Sequence, residues 1–205
     1  MKNLLIAVCT VTLATSALGA EKKPQPPLMK SDTVAWVGLD YSLVRMVGPE
    51  DFRNPDAIFP AMLDNWNALF LRERIGRIGG ALGKKVVLDT AGMSAQNRQA
   101  TAKQVIPSGG PEDGVEKTHI SESDIAKAVR SYKLETQEGL ALVFIVDRLV
   151  KPSQNGAVYI VFFDAKTREV VTCDRHIGRA AGGGFRNYWF RVIKEADETL
   201  KRYRQ

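Results

Sequence analysis

Two unbroken apolar runs, Leu140 to Val146 and Ala157 to Phe163, constrain the fold more than any other feature of the chain. Both are dense in β-branched and aromatic side chains, so each reads as a strong strand. The loop between them contains Asn155-Gly156, a strong short-range signal for a tight hairpin, which sets the two strands antiparallel. A second turn at Asp164-Ala165-Lys166-Thr167 leads into Glu169-Val170-Val171-Thr172-Cys173, completing a three-stranded antiparallel meander.

Val34-Ala35-Trp36-Val37-Gly38-Leu39 reads as a first, central strand, and a helix follows from an N-cap at Asn54 or Asp56, with Pro55 and Pro60 in its first turn. Its core face is Phe59, Met62 or Leu63, Trp66, and Leu69 or Phe70, and the pattern decays into Gly79-Gly80. Val86-Val87-Leu88 forms a short buried strand, and Ser94 caps a weaker helix to about Ile106. These are two leading strand-helix units. Residues 107–118 carry clustered prolines and glycines and read as a mobile surface loop. Ser121 with Asp124 forms a capping box for a short helix bearing Ile125, Ala128, Val129 and Tyr132. A closing helix from about Phe185 to Tyr203 aligns Phe185, Trp189, Val192 or Ile193, Ala196 and Leu200 on the face that packs on the sheet. The expected class is α/β with a mixed sheet: two leading strand-helix units, the meander, then the closing helix.

Residues 1–20 have the layout of an export signal: Lys2, an apolar run from Leu4 to Val8, and small residues from Thr15 to Ala20. The run is shorter than the ~20 residues that cross a bilayer, and no later stretch serves instead. Residues 21–32 (EKKPQPPLMKSD) read as an extended, Pro-rich tether, and residues 33–205 as a single α/β domain. The apolar run before Cys9 is very short and the small residues lie well after it, which argues against lipid attachment there. With the signal removed, Cys173 is the remaining thiol and no internal disulfide forms. The formal net charge of +6 and a pI near 9.4 favour acidic partners or anionic envelope polymers. Lysine and arginine are spread rather than clustered, so nucleic acid is not an expected partner.

Gly-x-Ser-x-Gly, His-Glu-x-x-His and paired Cys-x-x-Cys are all absent. Gly79-Gly80-Ala81-Leu82-Gly83-Lys84 lacks the glycine spacing and the following hydroxyl of a phosphate loop, and reads as a turn. Only His119 and His176 could supply imidazole ligands, so neither a metal nor a cofactor is expected. Cys173 and His176, three apart in a strand, point to opposite faces. The segment from Gly178 to Trp189 sets a glycine-rich loop between a strand and a helix start, where free N–H groups, the helix dipole and two arginines could gather an anion. The candidate binding residues are Arg179, Gly182, Gly183, Gly184, Arg186 and Asn187, with no catalytic residue assigned. The alternative is a hydrolase or transferase with strand-end carboxylates Asp40 and Asp89 and Arg186 as an anion clamp.

The segment Val161-Phe162-Phe163-Asp164-Ala165-Lys166-Thr167-Arg168-Glu169-Val170-Val171 resembles the strand-Asp-x-x-Thr-x-x-Val-strand hairpin of bacterial envelope proteins related to penicillin-binding-protein activators and curli-secretion lipoproteins. That resemblance spans residues 140–189 in local sequence and 33–203 in element order. It implies an α/β domain similar to the N-terminal domain of TolB. The end of the chain also resembles a class of secreted bacterial proteins that close on a Gly-rich, Phe-Arg-Asn-Tyr-Trp segment. The functional expectation is a non-enzymatic periplasmic or secreted module that docks on an envelope protein or an anionic envelope polymer.

Overall fold

The computed structural model describes residues 27–50, 52–109 and 114–204, whose strands form one mixed, seven-stranded α/β sheet. The strands are β1 (Thr33–Asp40), β2 (Arg45–Val47), β3 (Lys85–Leu88), β4 (Val105–Ile106), β5 (Leu140–Val150), β6 (Asn155–Asp164) and β7 (Val170–Arg179). The helices are α1 (Pro55–Ile58), α2 (Ala61–Glu73), α3 (Ile75–Leu82), α4 (Met93–Asn97), α5 (Glu122–Ser131) and α6 (Phe185–Glu198).

β5 is the hub, and every one of its residues is buried. On one side β1 pairs parallel with its first half (Ala35↔Ala141 to Asp40↔Ile145), and β2 pairs parallel with its second half (Arg45↔Arg148 to Val47↔Val150). β1 and β2 thus form one strand line, interrupted at residues 41–44. β3 extends that line outward beside β1, and β4 beside β2, both parallel. On the other side β6 runs antiparallel along β5, and β7 antiparallel along β6.

Side-chain alternation divides the core between the two faces. Trp36, Leu142, Phe144, Ile160 and Phe162 pack against α2, α3 and α6, whereas Val37, Val143, Ile145, Val161 and Phe163 pack against α5. At the end of β1, Asn67 replaces a strand partner: its Oδ1 accepts from the Leu39 N–H at 2.8 Å and its Nδ2 donates to the Leu39 carbonyl at 2.9 Å. Asn97 does the same for the Tyr41 N–H at 2.7 Å and shares the Leu39 carbonyl at 2.9 Å.

Several sequence expectations are corrected. The long helix from residue 54 is three, because Phe59, ahead of Pro60, is extended and the chain turns again at Arg74. The last of them runs through Gly79-Gly80 and stops at Gly83, which takes the left-handed conformation (φ 68°) that favours glycine. The helix expected from Ser94 to Ile106 is only α4, followed by a 3-10 turn at Ala102–Gln104 and the short β4. β3 is a sheet edge rather than a buried strand, with Val87 and Leu88 exposed. Asn155-Gly156 is not the hairpin turn: residues 151–154 turn, and Asn155 and Gly156 already pair with Val150 and Leu149. Glycine stands at 156 because a Cβ there would lie 3.0 Å from Val192 Cγ1 of α6.

The expected signal at residues 1–20 and the first part of the tether lie outside the described residues. The rest of the tether is not extended. Pro27–Lys30 form a 3-10 turn that buries Met29, and Lys84 Nζ donates to the Met29 carbonyl at 2.6 Å and to the Ser31 carbonyl. Lys84, the residue in the phosphate-loop-like string, is therefore committed to holding the N-terminal segment.

Candidate functional site

The glycine-rich connection emerges where β7 ends and α6 begins. After the exposed Arg179, the Ala180 N–H donates to the Gln154 carbonyl at 2.8 Å and the Ala181 N–H to the Tyr188 carbonyl at 3.2 Å, fixing the approach to the helix. Gly182 (φ 118°) and Gly184 (φ 74°) adopt backbone conformations that side chains disfavour, whereas Gly183 does not, and a Cβ on Gly183 would meet open space. Gly184 caps α6 with no side-chain hydrogen bond, and the first turn contains no acidic residue. First-turn N–H groups of such a helix have no partner within it.

An aromatic cluster positions this helix start. Phe185 stacks on Trp66 at 5.8 Å and meets the edge of Phe52 at 5.7 Å, and Trp66 Nε1 donates to the Arg186 carbonyl at 2.9 Å. Arg186 and Asn187 consequently face outward, bonded to each other at 3.2 Å through Arg186 Nε and Asn187 Oδ1. Among the described residues neither the Arg179 nor the Arg186 guanidinium has a carboxylate within 4.0 Å. Glu195 is the local counter-charge, and it is occupied: it accepts from the Arg179 backbone N–H at 2.8 Å and from Arg191 Nε at 3.0 Å. A shallow pocket of about 280 Å³ opens beside them between Gln154, Arg179, Tyr188 and Arg191, and Lys151 Nζ lies 4.6 Å over the Tyr188 ring. Arg179, Gly182, Gly183, Gly184, Arg186 and Asn187 are thus all exposed along the connection from β7 into α6, with Arg179 lining the pocket and Arg186 and Asn187 in the first turn of the helix.

No family model matches the chain, and no curated protein matches it. Among solved structures it is similar to the lipoprotein GNA1162 of Neisseria meningitidis, at 9% identity over 83% of this chain and 96% of that one, with a TM-score of 0.32. So distant a similarity assigns the chain neither family nor activity.

The carboxylates of the enzymatic alternative are not assembled with Arg186. Asp40, fully buried, accepts from the Tyr132 hydroxyl at 2.6 Å and from the Ser42 N–H at 2.7 Å; burial raises its carboxyl above the usual range. Asp89 accepts from the N–H groups of Glu135 at 3.2 Å and Thr136 at 2.7 Å. Tyr132 packs on the α5 face of the sheet and Arg186 belongs to α6 on the other, so the sheet separates the proposed clamp from Asp40. Both aspartates act as turn and loop fasteners. The β7 thiol is equally quiet: burial pushes Cys173 up to about 12, leaving it neutral, while His176 pairs with Val158 on the opposite face and is lowered by burial.

One cluster is absent from the sequence reading. Asp147, fully buried at a bulge in β5, accepts from Arg175 Nε at 2.7 Å and lies 3.2 Å from His119 Nδ1, while His119 Nε2 donates to the Leu43 carbonyl at 2.6 Å. The Arg175 guanidinium also donates to the carbonyls of Val115 at 2.5 Å, Glu116 at 3.3 Å and Lys117 at 3.0 Å. Arg148 Nη1 donates to the Gly114 carbonyl at 2.9 Å. The expected mobile loop is therefore pinned over residues 114–117; residues 110–113 lie outside the described residues. The signal for this cluster was the Asp147-Arg148 pair, charged side chains interrupting an apolar strand, which a strand boundary at Val146 passed over.

Proposed function

We propose that the chain is an exported, non-enzymatic binding module of the bacterial cell envelope that docks an acidic protein segment or anionic polymer on the corner between β7 and α6. The observation that carries this reading is that two guanidinium groups, Arg179 and Arg186, which lack a carboxylate partner among the described residues, flank a helix start with no side-chain cap and no acidic residue in its first turn. Charge attraction and backbone N–H donation there act on the same anion. Export rests on the pattern of residues 1–20, and no described helix is long and apolar enough to cross a membrane. The antiparallel β5-β6-β7 order and the closing helix are the features that resemble the envelope families.

The test is titration with a polyglutamate peptide, alongside thermal denaturation. Binding should weaken with added salt, since exposed pairs are screened over a Debye length of about 8 Å at physiological ionic strength. Arg179→Glu with Arg186→Glu should abolish it and leave the melting temperature unchanged. Gly183→Ala, into open space at an ordinary backbone conformation, should change neither. Full retention of binding by the double reversal removes the corner from the functional account.

A further inference from the structure

The outer edge of β7 has no strand beside it, although at its end the Arg179 N–H is taken by Glu195. Along Val170–Arg179 this ten-residue strand pairs with β6 alone among the described residues. Long unpaired edges are templates for another strand, and proteins usually blunt them with proline, cover or shortness. β3 and β4, on the opposite margin, are short at four and two residues. β7 contains no proline, and its single register shift lies near its start, between the partners of Phe162 and Phe163.

A groove of about 690 Å³ runs beside this edge on the α5 face. Tyr159 and Cys173 line it from the sheet and Ile125 and Ala126 from α5, while Arg130 and Arg168 add two guanidinium groups beside the carboxylates of Glu122 and Glu169. Arg168 closes the β6–β7 turn, where Asp164 Oδ1 accepts from the N–H groups of Lys166 at 2.7 Å and Thr167 at 3.0 Å. Arg168 itself has φ 62°, a conformation glycine adopts more easily, yet the position carries a guanidinium. One of its terminal nitrogens is buried without an acceptor, although Glu169 adjoins it. Arg130, on the exposed side of α5, has no carboxylate partner among the described residues.

We propose that the β7 edge and this groove form a second binding site, which takes an extended peptide of a partner protein as an added strand. The peptide's backbone satisfies the free edge of β7, alternate apolar side chains enter the groove between α5 and the sheet, and a free C-terminal carboxylate is received by Arg168 and Arg130. A carboxylate is the occupant chosen because Arg168 brings a donor for which the described residues supply no acceptor. This site lies away from the β7–α6 corner and stands or falls separately from it.

The test uses a fluorescent peptide of alternating valine and threonine with a free C-terminus, followed by anisotropy against the whole protein. One-to-one binding is expected. C-terminal amidation of the peptide, or Arg168→Gln in the protein, should each weaken it about tenfold, as loss of a charge-assisted hydrogen bond does. N-methylation of alternate peptide residues should abolish it, since methylated nitrogens cannot pair with a strand. Ala126→Trp, which fills the groove from a half-buried position, should also abolish it without lowering the melting temperature, and serves if Arg168→Gln unfolds the turn. No binding, or binding indifferent to N-methylation, overturns the proposal. So does sedimentation showing that β7 self-associates into a dimer that the peptide fails to dissociate.

Discussion

Arg74 ties the start of α3 to the end of α6 and offers the most decisive test of what holds the two helices together. Its Nε and Nη2 donate to the two Asp197 oxygens at 2.5 Å each, and the side chains are only 5% and 3% exposed. Arg74→Met keeps most of the apolar stem but leaves the buried Asp197 carboxylate without its partner. Breaking a buried pair from one side costs about 3–5 kcal/mol, whereas replacing both partners with apolar groups is often neutral or stabilising. For a domain of this size that loss corresponds to roughly 6–20 °C in melting temperature. Glu198, at 3.3 Å but 60% exposed, adds little because solvent screens it. The loss depends on pH in a definite direction. Burial already raises the Asp197 carboxyl, and Arg74 opposes that rise. Without Arg74 the folded-state value climbs further above the unfolded one. The penalty is then full at pH above the raised folded-state value, fades as pH falls through it, and is gone below about 4, where Asp197 becomes protonated in the unfolded chain as well. Urea denaturation followed by fluorescence of Trp36, Trp66 and Trp189, all buried, measures this directly. A loss below about 1 kcal/mol for Arg74→Met would refute the reasoning, as would an Arg74→Met/Asp197→Leu double variant no more stable than the single one.

Asp147→Asn removes the charge that Arg175 answers, and the expected cost is about 2–3 kcal/mol, less than for a fully buried pair because Arg175 is 16% exposed. Hydrogen exchange at residues 114–120 should accelerate selectively, and unchanged exchange there would mean that the Arg175-to-carbonyl bonds hold the segment unaided. Cys173, held neutral by burial with its thiol pushed up to about 12, should react with an aromatic disulfide at pH 8 far more slowly in the folded protein than in urea. Equal rates would show the thiol to be solvated.

The parts of the fold that burial dictates were legible in the sequence. β1, β5, β6 and the apolar face of α6 are dense enough in large apolar residues that their period or its absence decides their structure. The Ser121–Asp124 box is local chemistry and forms as written, with the Asp124 N–H donating to Ser121 Oγ at 3.2 Å. β2 and β4 were not legible, since three- and two-residue strands carry no period and exist only because β5 and its neighbours offer them partners. The Asn-Gly signal misled because Gly156 answers to the close approach of α6, a tertiary demand, rather than to a turn. Gly79 is similar: it lies inside α3, and glycine stands there because a Cβ would lie 2.9 Å from the Lys84 carbonyl oxygen. At the candidate corner the glycine run and its arginines could be read directly, as they are contiguous. The pinning of residues 114–117 could not, because it joins His119, Asp147 and Arg175 from separate elements.

The central position of β5 also sets an order of assembly. Its pairing with β6 closes between Val150 and Asn155, next to each other along the chain, while its pairing with β1 joins Ala35 to Ala141. Loop-closure entropy makes the distant contact slower to form than the near one. A chain emerging from its N-terminus therefore carries β1, β2 and the helices that follow for most of its synthesis without the strand that completes their hydrogen bonding. The C-terminal hairpins are expected to gain amide protection first in pulse-labelled refolding, with β1 docking onto them as a late arrival, and early protection of β1 would reverse that order.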